Sequence, residues 1–228
     1  MATITWDQTG TRYFETGVDH GVLYVAKADG SGYETGVAWN GLTTVTESPS
    51  GAETSASYAD NMKYLNLTSA EDFGATIEAY TYPNEFELCD GTADVATGVT
   101  IGQQSRRKFA FSYRTRKGND VVGDSYGYDI HIIYGAQAQP SEKAYATVND
   151  SPEAISFSWE ISTTPVNVTG YNPTALIKID STKTDPTKLK SLEDKLYGTA
   201  SEEPTLLLPD EIIALIGAKP ASNSGVGA

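Results

Sequence analysis

One cysteine, two histidines and two methionines leave this chain of 228 residues with few of the side chains used for redox chemistry and metal binding. Cys89 stands alone, which excludes an internal disulfide and suits synthesis in a reducing compartment. The Asn66-Leu67-Thr68 and Asn167-Val168-Thr169 sequons are then read as accidental. His20 follows Asp19 and His131 lies near Asp129, and neither has a second His or Cys at metal-ligand spacing. A nucleophile elbow, a phosphate-binding loop and an H-E-x-x-H pair are missing as well. "NDVVGDSYGYD" gathers acids without the spacing of a calcium loop. Nothing in the pattern favours a paired-carboxylate glycosidase. These residue types and spacings offer no catalytic or metal-binding motif, and no cofactor or metal is expected. Apolar runs long enough to span a membrane are missing, and "MATITWDQTGTRYFETG" has no apolar stretch of the signal-peptide kind, so neither anchor nor leader is expected.

Basic charge is scarce too: 16 Lys and Arg stand against 30 Asp and Glu, a net charge of −14. That balance argues against a protein that holds nucleic acid, whose footprint is a dominant basic surface. It is compatible with one that lets nucleic acid pass. The scarce bases are also unevenly spread. "RRKFAFSYRTRK" (106–117) contains Arg106, Arg107, Lys108, Arg114, Arg116 and Lys117 and no acid, leaving 10 bases against 30 acids elsewhere.

Most of the chain alternates with period two. "VLYVA" (22–26) and "YETGVAW" (33–39) flank a turn-rich "KADGSG", as in a hairpin. The stretch 46–61 is polar and shows neither helical nor strand pattern, and loops of that length in a compact domain are usually functional or disordered. Strands are predicted at 63–67 and at 73–82, the latter with Phe73, Ala75, Ile77 and Ala79 on one face. "NEFELCDG" predicts a short helix closed by Gly91. Residues 107–134 predict a long hairpin, with Phe109, Phe111 and Tyr113 opposite Ala110, Ser112, Arg114 and Arg116. In "ISFSWEIS" (155–162), Ile155, Phe157, Trp159 and Ile161 alternate with Ser156, Ser158, Glu160 and Ser162. "ALIKID" predicts one more strand. Asp185 then caps a helix with Pro186 at its first position and Leu189, Leu192 and Leu196 on one face, and Gly198 ends it. "EEPTLLLPDEIIALIG" predicts a strand and a terminal helix, and "ASNSGVGA" a flexible tail. Fourteen tyrosines against six phenylalanines suggest half-exposed strand faces and interfaces.

"GVLYV" (21–25), "WNGLTTVTESPSGAE" (39–53), "YADNMKYLNLTSAEDFGATIEAYTYPNEFELCDG" (58–91), "SWEISTTPV" (158–166) and "KLYGTASEEPTLLLPDEIIAL" (195–215) follow one another along the chain. In that order they resemble the major tail protein, or tail tube protein, of long-tailed bacterial viruses with non-contractile tails, including prophages of Gram-positive bacteria. The resemblance implies a mainly β fold: a tail-tube-type β-sandwich or barrel over 1–175 with a flanking short helix and a long polar loop, then a C-terminal extension over 176–228. It implies a structural virion protein, not an enzyme, that forms hexameric rings, stacked as a tube through which DNA leaves the capsid. Its partners are then other copies of itself together with tape-measure, tail-tip and tail-terminator proteins, and no membrane.

Such a ring gives the residues singled out above a place. The 46–61 loop is expected to reach a neighbouring subunit. Arg106, Arg107, Arg114 and Arg116 are expected to meet acids of another subunit among Glu47, Glu53, Asp60, Glu71 and Asp72, where the planar guanidinium pairs well with carboxylates. A solvated strand face is the plainer reading of the same cluster. Ser156, Ser158, Glu160 and Ser162 are expected to face the channel, offering phosphates neither a base-reading fork nor an aromatic platform. The competing class is a carbohydrate-binding or adhesion β-sandwich whose tyrosines form a stacking platform.

Overall fold

Alternating apolar and polar side chains mark the half-buried strands of an antiparallel sheet that organises the chain. The structure is a computed structural model describing residues 3–148, 150 and 153–217, and it is mainly β with three short helices. In chain order the first strands are β1 (Tyr13–Val25), β2 (Val37–Trp39), β3 (Leu42–Glu47), β4 (Ser50–Gly51), β5 (Thr54–Ala59), β6 (Met62–Thr68), β7 (Glu71–Asp72) and β8 (Gly74–Ala79). A 3-10 turn at Asn84–Phe86 runs into α1 (Glu87–Asp90), which Gly91 closes in the left-handed conformation at φ 79°. Then follow β9 (Ala93–Ala96), β10 (Val99–Ile101), β11 (Phe109–Asn119), β12 (Gly123–Ala138), β13 (Phe157–Thr163), β14 (Val166–Val168), β15 (Tyr171–Thr174), β16 (Leu176–Asp180), α2 (Pro186–Tyr197) and α3 (Pro209–Ile216).

The large sheet runs β2–β1–β11–β12–β13–β8–β3, and β12 shapes it. On the side away from β11, β12 holds β16 along Asp129–Ile133 and then β13 along Ala136–Ala138. Between the two lies a bulge, where Phe109 faces Ala136 but Phe111 faces Ile133. Gly135 sits there at φ 57°, and a Cβ on it would lie 2.2 Å from the Thr164 carbonyl oxygen, so this bend requires glycine. Past the bend, β13, β8 and β3 pack over Leu23, Phe109, Phe111 and Ile133 and close an aromatic core around Trp39, Phe86 and Trp159. The opposite face of the sheet carries Tyr24, Ala110, Ile130, Ile132 and Tyr134 and packs on Leu189, Leu192, Leu196 and Ile212 of the helices. The Tyr24 and Tyr134 hydroxyls donate to the Leu196 and Leu207 carbonyls at 2.6 and 2.7 Å, bolting the sheet to α2 and to the segment that precedes α3. Asp185 caps α2 by accepting from the Thr187 and Lys188 amides, as its sequence predicts.

Several expectations change. The 46–61 segment is not patternless: β5 and β6 form a two-stranded arm around Asp60-Asn61, both left-handed at φ 51° and 60°. β6 matches the strand predicted at 63–67, whereas β5 was not anticipated: both faces of the arm are exposed, so it carries no inside–outside alternation. Residues 203–208 are extended but not a strand, since their backbone bonds go to Gly36 and Lys195 rather than to a ladder. Ile155 and Ser156 precede β13 and are exposed. Ala110 and Ser112 are buried, because the β11 face opposite Phe109 lies under the helices rather than in water. The N-terminal half of β1, β9–β10 and β14–β15 were not anticipated from periodicity. The division expected at 175/176 falls immediately before β16, itself a strand of the main sheet. Residues 221–228, expected to be a flexible tail, lie outside the described residues.

Candidate functional site

The arginine-rich segment is β11 and its approach, and the structure distributes its charges over separate neighbours. Arg114 lies opposite Asp19 in the ladder, with Nε at 2.7 Å from Oδ1 and Nη2 at 3.1 Å from Oδ2. Arg116 reaches the same carboxylate at 3.1 and 3.2 Å, and His20 Nδ1 lies 2.8 Å from Oδ1. Burial alone would raise the Asp19 carboxyl, but Arg114, His20 and Arg116 override it and hold it down at about 2. The Arg114 guanidinium also lies 4.9 Å over the Tyr128 ring. Arg106 turns to another partner, with Nη1 3.4 Å from Asp90 and from the Ala138 and Gln139 carbonyls. Arg107 is half-buried, and its amide donates to the Leu88 carbonyl at 3.0 Å.

None of the nominated acids meets these arginines within the chain. Glu47 is engaged instead by the Tyr113 hydroxyl at 2.5 Å and by His131 Nδ1 at 2.9 Å. Glu53, Asp60, Glu71 and Asp72 are exposed on the arm or its base. Asp19, the acid that does bind Arg114 and Arg116, was missed because the strand carrying it gives no alternation: a bulge at Gly17 and another at His20 break the period.

On the other face of the same strands lies a second charged group. Asp129 is fully buried, with Lys117 Nζ and Lys178 Nζ each 2.7 Å from one of its oxygens. Lys117 also meets Asp180, and Lys178 meets Glu15. Burial would lower both lysines, but the carboxylates around them raise them above the usual range. A buried carboxylate with two cations is a structural device, costly to break on one side.

Among the described residues, three surfaces have no partner. The arm exposes Tyr58, Met62, Tyr64, Leu65 and Leu67, with Tyr58 73% exposed, and it carries only Asp60 and Lys63 as charges. An isolated two-stranded ribbon is at best marginal in water. The second surface is a pair of strand edges. β2 pairs with β1 only at Gly21–Leu23, so Tyr13–Asp19 pair with β11 alone, and β16 pairs with β12 alone. The third is the outward face of β3–β8–β13, where Ser158, Glu160 and Ser162 are exposed beside Thr44, Thr46, Thr76 and Glu78. It carries hydroxyls and carboxylates and no base.

The tyrosines do not gather into one stacking platform. Tyr24, Tyr113 and Tyr134 are core, whereas exposed ones are distributed over β1, the arm, β12, β15 and the segments that follow β8 and β12. Among the described residues no group of three or more His, Cys, Asp and Glu is placed to hold a metal ion, and no helix is long and apolar enough to cross a membrane. No family model matches the chain, and no curated protein matches it either.

Proposed function

We propose that this chain is the repeating subunit of a viral tail tube, a structural protein that closes into hexameric rings and stacks into a conduit for DNA. The supporting observation is the pair of free edges. β1, β11, β12 and β16 alternate in direction, so β16 of one copy, set beside β1 of the next, continues an unbroken antiparallel sheet. The two edges differ, so the contact is head-to-tail, and rotation closes it into a ring. Closure removes the exposed edges that otherwise template aggregation. The ring number of six and the tape-measure, tail-tip and tail-terminator partners come from the family resemblance.

With the helices outward, the β3–β8–β13 layer faces the axis, and Ser158, Glu160, Ser162, Thr76 and Glu78 line the channel. Carboxylates repeated around each ring repel phosphates, and hydroxyls give bases nothing to stack on. Both favour passage over binding. The arm, nearly neutral and with Tyr58, Met62, Tyr64, Leu65 and Leu67 exposed, reaches an adjoining subunit. Arg114 and Arg116 serve the subunit that carries them, through Asp19, and the exposed acids of the arm base remain available to neighbours.

Negative-stain microscopy and sedimentation of the purified chain test this reading. Rings or tubes at raised protein concentration support it. A chain that stays monomeric alone and when supplied with preformed tail tips, while binding glycans, overturns it in favour of the ligand-binding module.

A further inference from the structure

The arm leaves the core through two chain segments: the Glu47 side chain ties the outgoing one to the opposite layer of the sandwich, and the returning one is held by β13 of its own layer. Glu47 is the last residue of β3 on the outgoing segment. Its Oε1 accepts from the Tyr113 hydroxyl on β11 and from His131 Nδ1 on β12. Since a carboxylate only accepts, the imidazole carries its proton on Nδ1, and Nε2 accepts from the Thr115 hydroxyl at 3.0 Å. The Tyr113 and His131 rings stack at 4.6 Å with planes 12° apart, and both residues are buried. On the returning segment the Thr163 hydroxyl donates to the Phe73 carbonyl at 2.6 Å.

Between these two points the segment holds only to itself. Ser48 donates to Gly74, Ala52 to Ala70 and Ser69 to Glu53, with Ser50 and Gly51 facing Asp72 and Glu71. Among the described residues, 49–72 hydrogen-bond only to one another. The neck also bends through Gly51 and Ala52, left-handed at φ 81° and 52°. A narrow, bent ribbon takes its direction from the residues that clamp its root.

We propose that Glu47 is the positioning residue that fixes the direction in which the β5–β6 arm leaves the core, with Tyr113 and His131 as its clamp. Glu47 thereby acts within the chain and not as an acid reserved for another subunit's arginine. The inference concerns the free subunit. Only its consequence for assembly rests on the tail-tube reading.

Spin labels on cysteines placed at Ala59 of the arm and Lys190 of α2 report that direction as a distance distribution; Cys89 is buried and burial pushes its thiol up to about 12, so it stays unlabelled. A narrow distribution is expected for the parent and for Glu47→Gln, whose amide oxygen still accepts both bonds. Glu47→Ala is expected to broaden it at least about twofold, and Tyr113→Phe, which deletes one hydroxyl and keeps the stacked ring, to broaden it less. Broadening in Ala with rescue in Gln supports the clamp. An unchanged width in Glu47→Ala overturns it, as does equal broadening in Gln and Ala. If Glu47→Ala fails to fold, Tyr113→Phe decides alone, and an unchanged width there overturns the proposal. These outcomes hold whether or not tubes form, so failure of the clamp and failure of the tail-tube reading are separable.

Discussion

Replacing Asp19 by Asn keeps the shape of the side chain and removes the charge that two arginines share. A carboxyl held at about 2 instead of 3.8 corresponds to about 2.4 kcal/mol, at about 1.4 kcal/mol for each tenfold change in acidity. The side chain keeps 23% exposure, so screening brings the expected contribution to about 1–1.5 kcal/mol. The folded carboxyl is the more acidic one. Its stabilisation is therefore fully present above 3.8 and is lost as the pH falls from there towards about 2. With those two values, about half is gone at about pH 3. Urea denaturation of the parent and of Asp19→Asn is expected to show a gap of about 1–1.5 kcal/mol at neutral pH that shrinks by about half at about pH 3. Arg114→Glu sets two carboxylates side by side across the ladder and is expected to destabilise by more than Asp19→Asn. A neutral-pH gap below about 0.3 kcal/mol, or one that does not change with pH, refutes an arginine cluster held inside the subunit.

Joining Glu53 to Ser69 through a Gly-Gly turn removes the arm at a point where the two chain ends are already hydrogen-bonded at 3.0 Å; the core is expected to melt cooperatively within a few degrees of the parent while tube formation is lost, and normal tubes would remove the arm from the assembly surface. Cysteine at 158 or 160 should react with a bulky thiol reagent in free subunits and be shielded in long tubes, and full labelling of intact tubes would put this face outside. Leu192 is completely buried between α2 and the sheet, so Leu192→Ala is expected to cost about 2–5 kcal/mol by denaturation. A cost under about 1 kcal/mol would mean that the helices contribute little to the fold.

Elements that bury one face were legible in the sequence. Ala75, Ile77 and Ala79 alternate because β8 has water on one side and the aromatic core on the other, and Asp185-Pro186 with three spaced leucines marks α2 by local chemistry alone. The same logic made Ser158, Glu160 and Ser162 recognisable as one exposed face. Where both faces share an environment, periodicity is silent. The arm is wet on both sides, and of its two strands only β6 was expected, at 63–67; the middle of β11 is buried on both sides, so alternation there does not separate a wet face from a dry one. Charge partners were beyond the sequence for another reason. Composition showed that the arginines cluster, but Asp19 and Arg114 are 95 residues apart and meet only through a ladder register set by two bulges. Tertiary structure likewise gave Glu47 to Tyr113 and His131, because the bend at Gly135 brings β3 over β11 and β12. Local alternation reports which side of an element meets water, whereas the identity of what lies across from it depends on register and bends that no short stretch of sequence contains.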